Sequence, residues 1–473
     1  MKLFYLLATL FFLNSNAIAQ NVFYTKPYLQ LGHNPSATSL ELLWHTTDTN
    51  AAWQVEYRND RKGKWAAADA ATFANVAVAG ATAHRVYHAT MTHLTSGGTF
   101  TYQIKKDKKV VFTADAQAPK SASQPFRFVT FGDIGAESKE QKALATRVML
   151  SKPDLVTVTG DIVYEYGLIS EYRKKFWPVY NADVADANGA PILRSVPWAA
   201  AVGNHDTDSR DLDKQPEALA YFAYWSQPLN GPNNKEGSAT VPMLKGTEAN
   251  KNAFYAAAGD AYPRMTNFSF NYGNAHYTVL DMNNYVDWAD SLLKDWVKRD
   301  LANSVSSVWH FVMIHQPGFN SSVEHSEQQQ MRILAPIFEA GKVDIVFAGH
   351  VHNYQRSFPL TFAPVKNGTL MMGGKDGKTL RGRVVPGLWT LDKHFDGKII
   401  TKPNGVVYII TGAGGKTLYN PEQEDKPNSW QKFTDKFIST VHSLTLTEVN
   451  GNTLSIKQLT AEGKELDSFT ITK

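Results

Sequence analysis

The stretch VDIVFAGHVHNYQR, Val343 to Arg356, decides how the rest of the chain is read. An apolar run of strand length ends on Gly349, and two histidines, His350 and His352, follow one residue apart. A glycine lets the backbone turn sharply at that point. The same construction recurs upstream. FRFVTF (126–131) runs into Gly132-Asp133-Ile134-Gly135, and DLVTVT (154–159) into Gly160-Asp161-Ile162-Val163-Tyr164. WAAAV (198–202) runs into Gly203-Asn204-His205-Asp206, and VWHFVMI (308–314) into His315. In open α/β sheets, ligands bind beyond the carboxyl ends of the strands, where all of these groups fall.

Each piece alone is weak, because a Gly-Asp after a strand is often only a turn and a lone histidine is more often a satisfied side chain than a ligand. Five strand ends offering Asp133, Asp161, Tyr164, Asn204, His315, His350 and His352 would need a separate coincidence each, so they are read as one metal-binding site. Asp161 and Tyr164 are three apart and face the same point if a helical turn begins after Gly160. His350 and His352 share one side of an extended segment, so each can serve one of two ions about 3.5 to 4 Å apart.

Working outward, 473 residues are too many for one ordinary core and favour two or three structural units. Residues 22–118 hold short alternating runs, among them SLELLWHT, WQVEYRN, HRVYHATMTHL, TFTYQIKK and KKVVFTAD, which predict a small β-sandwich. The five histidines there, at 33, 45, 84, 88 and 93, have no acidic cluster beside them and are read as satisfied or surface residues. The run Ala118 to Ser123 has linker composition. Beyond it, residues 124–473 alternate strand and helix patterns and form an α/β domain. One helix is predicted over Glu327 to Ala340, with Met331, Leu334, Ile337 and Phe338 on one face. Residues 231–259 and 361–404, rich in Gly, Asn, Lys and Pro, read as surface excursions.

The blocks GDIG, GDIVY, GNHD, MIHQP and GHVH, in this order, resemble the five metal-binding blocks of purple acid phosphatases within the metallophosphoesterase superfamily. KPYLQL and the β-rich N-terminal part are similar to that family's fibronectin-like domain, FSFNYGNAHYTVLD to its central strand pair, and GVVYIITGAGG with ELDSFTIT to its C-terminal end. The resemblance implies a fibronectin type III-like sandwich followed by a β-sandwich flanked by helices, in αββα layers. It also implies the ligand split: Asp133, Asp161, Tyr164 and His352 on one ion, and Asp161, Asn204, His315 and His350 on the other. Phenolate is a hard anionic donor suited to a trivalent ion, and the resemblance implies iron(III) beside Tyr164 with iron(II), zinc or manganese at the second position. The implied activity is acid phosphatase action on phosphate monoesters. Two further histidines are candidate catalytic groups: His205, next to Asn204, and His325, ten residues past His315, where the family carries a substrate-contacting histidine. Asp206 stands where the family more often has glutamate, which puts a supporting contact in question.

GAGGKT, Gly412 to Thr417, lacks the glycine that a phosphate-binding P-loop needs at Ile410, and is read as the family's glycine-rich turn near the site. The segment Gly373 to Arg383, GGKDGKTLRGR, is a candidate for steering polyanionic substrates toward the mouth. The densest basic run, Lys105 to Lys109, reads as a hairpin tip, and a net charge of +4 is no nucleic-acid signature.

Residues 1–19 have the pattern of a signal peptide, so the mature chain is expected to be secreted or periplasmic, with no membrane span. The absence of cysteine leaves the metal to His, carboxylate, amide and phenolate, and closes disulfide-linked partnership. Sequons stand at Asn267, Asn320 and Asn367. Two alternatives stay open: a metal-dependent phosphodiesterase or nucleotidase, and a surface-binding module with a vestigial site.

Overall fold

The structure is a computed structural model that describes residues 22–373 and 377–473. The expected export signal lies outside the described residues, as does part of the Gly373 to Arg383 segment. Two large sheets lie face to face. In the seven-stranded sheet the order runs Phe268–Tyr272, Ala275–Val279, Trp309–Met313, Ile345–Ala348, Val407–Thr411, Tyr354–Ser357 and Thr434–Ile438. Its middle strands from Ala275–Val279 to Val407–Thr411 are parallel, which is why they read as unbroken apolar runs. The ten-stranded sheet sets Phe126–Phe131, Leu155–Val158 and Trp198–Ala200 side by side and parallel, with three C-terminal antiparallel strands beyond Phe126–Phe131.

Phe128 meets Phe311 and Phe347 across the gap between the sheets, at ring separations of 5.3 and 6.0 Å. Helices cover the outer faces. Lys139–Ser151, capped by Ser138, buries Leu144, Ala145 and Val148 against the ten-stranded sheet. Ser291–Asn303, capped by Asp290, buries Leu293, Trp296, Val297 and Leu301 against the seven-stranded one. The layers are therefore helix, sheet, sheet, helix.

The N-terminal part is all-β, and one of its faces is the far end of the ten-stranded sheet. Gln30 pairs in parallel with Trp198, so Thr25–Gln30, Leu40–Thr47, His84–Met91 and Thr72–Val76 extend that sheet. Facing them is a four-stranded sheet that includes Trp53–Arg58, Thr99–Lys106 and Lys109–Gln117. Asp107 and Lys108, both at positive φ, form the two-residue tip of the last hairpin. Ala118 to Ser123 is less of a linker than its composition suggests. Ala118 is fully buried, its N–H donates to the Gly98 carbonyl at 2.9 Å, and the Pro119 carbonyl accepts from Gly97 N–H at 2.8 Å.

Three other expectations are corrected. The helix expected over Glu327 to Ala340 is a 3-10 turn, Gln330–Ile333, then a short helix, Ala335–Ala340; Gln328 bridges to Arg383 instead, and Pro336 belongs in a first turn. Residues 231–259 contain the helix Glu248–Ala258, which buries Phe254, Ala257 and Ala258. Residues 361–404 carry two antiparallel ribbons, one of them joining Leu360–Pro364 to Gly387–Leu391. Of the sequons, Asn267 and Asn320 are buried, and Asn367 is exposed.

Candidate metal centre

The five strand ends converge, and they do so through unusual backbone. Asp133, Asp161 and His350 all adopt left-handed conformations, with φ of 62°, 52° and 66°. For residues with a Cβ this conformation costs energy and persists where surrounding structure enforces it, a pattern concentrated at functional sites. It also corrects the expected geometry. No helical turn follows Gly160, and His350 is not extended; left-handed turns aim Asp161 and His350 inward instead. Close approach explains one glycine in particular: a Cβ on Gly203 would lie 2.1 Å from Asp161 Oδ1.

Asp133, Asp161, Tyr164, His315, His350 and His352 are all buried. The Tyr164 hydroxyl donates to Asp133 Oδ1 at 3.0 Å and lies 3.3 Å from His352 Nε2, which is itself 3.3 Å from Asp133 Oδ1. On the other side, His315 Nε2 lies 3.1 Å from Asp161 Oδ1, 3.2 Å from Asn204 Oδ1 and 3.2 Å from His350 Nδ1. Ligating atoms of Asp161, His315 and His350 all fall within 4.8 Å of one another. His205 closes one flank, with Nε2 3.9 Å from Asp161 Oδ2 and Nδ1 2.7 Å from the Glu165 carbonyl. His325 closes the other, its ring centre 3.9 Å from that of His350. The structure thus brings together all nine residues singled out from the sequence.

The donor set suits cations. His315 Nδ1–H donates to the Thr159 carbonyl at 2.7 Å and His352 Nδ1–H to the Thr417 carbonyl at 2.8 Å, so each Nε2 points at the centre. Those nitrogens face carboxylate, amide and imidazole acceptors, which either protons or a metal ion can satisfy. Burial would raise the pKa of Asp161, but the charges of His315 and His205 hold it well below the usual carboxylate range. Burial and the charges of Asp133 and Asp161 push the Tyr164 phenol well up, so a strong positive charge is needed to make it a phenolate.

Supporting contacts that the sequence reading left out are also visible. The Asp206 carboxylate accepts the N–H groups of Gly203 and Ile162, answering the question its departure from glutamate raised. Asn283 accepts from Gln316 Nε2 at 2.7 Å and donates to the Gly203 carbonyl at 3.3 Å. The Tyr419 ring stacks on His352 at 4.0 Å. Lys416 falls within the glycine-rich turn and Tyr419 two residues past it, and the polar run after the strand Ala275–Val279 was the available signal for Asn283.

With the geometry in place, comparison with known proteins is specific. Residues 126–354, from the first site strand to just past His352, match the family model for calcineurin-like phosphoesterases. An uncharacterized protein of Mycobacterium tuberculosis is 24% identical over 422 residues, covering 82% of this chain and 69% of its own length. Purple acid phosphatase 23 of Arabidopsis thaliana is 26% identical over half of this chain and 49% of its own length. Phosphoenolpyruvate phosphatase of Allium cepa is 28% identical over 49% of this chain and 42% of its own. Among solved structures, a purple acid phosphatase from yellow lupin seeds superposes with a TM-score of 0.63 at 17% identity, over 95% of this chain and 75% of its own, and shows the same fold. Residues 126–354 are a calcineurin-like phosphoesterase domain, and the chain that carries it is a phosphatase similar to the purple acid phosphatases.

Proposed function

We propose that the chain is an exported acid phosphatase that hydrolyses small phosphate monoesters at a centre of iron(III) paired with iron(II), zinc or manganese. The observation that carries this reading is the approach of the Tyr164 phenol to Asp133 Oδ1 and His352 Nε2, since a phenol among such donors marks a site for a trivalent ion. Asp133, Asp161, Tyr164 and His352 would hold that ion; Asp161, Asn204, His315 and His350 would hold the divalent one. The N-terminal sandwich is assigned to the fibronectin type III kind on the sequence resemblance, as a unit over residues 22–118 preceding a catalytic unit over 124–473.

When bound, the metal pair supplies Lewis-acid activation of water and of the phosphoryl group. The protein's own residues do the rest. Asp161 sits between the two donor sets and fixes their spacing. Thr159 and Thr417 carbonyls hold the His315 and His352 rings in the orientation that faces the centre. His205 and His325 flank the centre on opposite sides, where a ring N–H donates to a phosphoryl oxygen. As water oxygen bonds to phosphorus and the ester oxygen leaves, one of these rings delivers the proton that the departing alkoxide takes up.

A visible spectrum of the purified protein beside Tyr164→Phe, with metal content measured on both, tests the assignment. A purple band that disappears in the variant is the expected result. A colourless protein loaded with zinc or manganese, faster on an aryl phosphate diester than on the monoester, would replace it with a phosphodiesterase.

A further inference from the structure

Lys416 stands beside the converging donors rather than among them. The run Gly412 to Tyr419 is pinned to the Tyr164 side of the centre by its backbone. Lys416 N–H donates to the Asp133 carbonyl at 3.3 Å, His442 Nε2 lies 3.0 Å from the Lys416 carbonyl, and Tyr419 N–H donates to the His352 carbonyl at 3.1 Å. Ser138 Oγ donates to the Gly415 carbonyl at 2.7 Å, so the turn is braced on both sides of the lysine.

From this fixed base the ammonium lies over the Tyr164 ring, 4.2 Å from its centre. Its carboxylate partner is Glu165, at 2.6 Å, and the Glu165 carbonyl in turn meets His205 Nδ1. The side chains of Lys416 and His205 are each 28% exposed, while that of Glu165 is 51% exposed. Lys416, Glu165 and His205 therefore form one side of the mouth, and the anion in that row is its most solvated member. An ion pair open to water is worth little and exchanges readily for a stronger anion. A phosphate group has higher charge and more acceptor oxygens than a carboxylate.

We infer that Lys416 is a specificity-determining residue: it takes a second anionic group next to the phosphate being cleaved, as in pyrophosphate or a nucleoside diphosphate, and Glu165 holds its place until such a group arrives. This rests on the phosphatase reading above, in that the reacting phosphate lies at the centre. The residues on the mouth give the substrate class a chemical definition. A monoester with a neutral leaving group uses the donors at the centre alone, whereas a polyanionic phosphate reaches one residue further.

The test is calorimetric binding of orthophosphate and pyrophosphate to the metal-replete protein, comparing wild type with Lys416→Met, Lys416→Arg and Glu165→Gln. Lys416→Met is expected to lower the ratio of pyrophosphate to orthophosphate affinity about tenfold, the scale of one charge-assisted contact. Lys416→Arg should keep the ratio within about threefold, and Glu165→Gln should raise it, because the competing carboxylate is gone. Equal loss of both anions in Lys416→Met, or an unchanged ratio, overturns the assignment, since a lysine that merely supports Tyr164 would weaken both alike. Hydrolysis of p-nitrophenyl phosphate by the wild type, run alongside, judges the underlying reading separately. Wild type that binds both anions and hydrolyses nothing sinks the phosphatase while the binding ratio still decides Lys416; wild type that binds neither overturns both.

Discussion

Asp206 accepts the backbone N–H of Ile162 at 3.1 Å, and its other oxygen accepts the N–H of Gly203 at 2.8 Å. The side chain thus joins the turn that presents Asp161 to the turn that presents Asn204, and it is almost wholly buried. Burial and the charge of Asp161 raise its pKa to about 7, so two N–H donors and a repelling neighbour act on it in opposite directions. Asp206→Asn replaces one acceptor by an NH2 group that meets an N–H head on. Contacts that orient ligands from behind typically matter by a factor of about 10 to 100 in activity or metal affinity, and a loss of kcat/KM in that range is expected, with metal content reduced and the circular dichroism spectrum unchanged. Full activity with full metal content in Asp206→Asn would show that the two turns hold their positions without it.

Asn283 performs the equivalent task between Asn204 and His315. Its carbonyl takes Gln316 Nε2, next to His315, while its NH2 group donates to the Gly203 carbonyl and to Thr207 Oγ1. Nothing connects Asn283 to Asp133, Tyr164 or His352 by a direct hydrogen bond among the described residues. On the proposed division of ligands, Asn283→Ala is therefore expected to weaken ion binding on the Asn204–His315 side by about tenfold or more while an ion on the Tyr164 side is kept. Metal analysis after mild chelation reads this directly: one equivalent remaining supports the division, and loss of both together or neither speaks against it.

The strand ends are legible in the sequence because each sets a metal-competent side chain at the end of an apolar run, four of the five after a glycine, so local pattern alone locates Asp133, Asp161, Asn204, His315 and His350. How they aim is not legible. The left-handed turns at Asp161 and His350 leave no mark on residue types that ordinarily avoid them, and the helical turn expected after Gly160 is the reading that ordinary spacing favours. The helix Glu248–Ala258 hides in a polar segment because only Phe254, Ala257 and Ala258 face inward. Continuity of the N-terminal strands with the ten-stranded sheet depends on Gln30 pairing with Trp198, 168 positions away, and no periodicity encodes a pairing between distant strands. Asp206 is visible as a residue but its contacts run to backbone N–H groups, which every sequence has.

Where the N-terminal strands meet the catalytic layers, buried histidines make stability depend on pH. His84 is 1% exposed, its Nδ1–H donates to the Thr82 carbonyl at 2.8 Å, and its Nε2 takes the Tyr224 hydroxyl at 2.9 Å, so the neutral ring is fully satisfied. Burial lowers its pKa from 6.5 to about 4, and the Arg173 charge lowers it further against the raising effect of the Thr82 contact. Between those values the unfolded chain binds more protons than the folded one, so stability rises with pH. The contribution is present above about pH 6.5 and is lost as pH falls to about 4, in all about 3 kcal/mol at about 1.4 kcal/mol per unit. Urea midpoints measured from pH 7 to pH 4 should therefore decline, and His84→Gln should flatten part of that decline even if its neutral-pH stability is lower. An identical acid limb in His84→Gln would assign the decline to other groups.

Gly203 separates crowding from backbone strain as a reason for glycine. Its φ of −95° is open to any residue, so alanine meets no conformational objection there. The objection is the Asp161 carboxylate: the added Cβ would lie 2.1 Å from Oδ1 and 2.3 Å from the Asp161 nitrogen, and the second of these is backbone that cannot swing aside. Gly451 is the reverse case, with φ of 55° in a hairpin turn and nothing within 4 Å of an added Cβ. Gly451→Ala should cost about 1 kcal/mol through its left-handed backbone alone and leave the metal centre intact. Gly203→Ala should displace Asp161, which stands between both donor sets, so activity is expected to fall by at least about a hundredfold with both ions bound more weakly. Metal titration of the two variants side by side decides the matter: retention of both ions in Gly203→Ala would mean that the turn after Trp198–Ala200 can shift without carrying Asp161 with it.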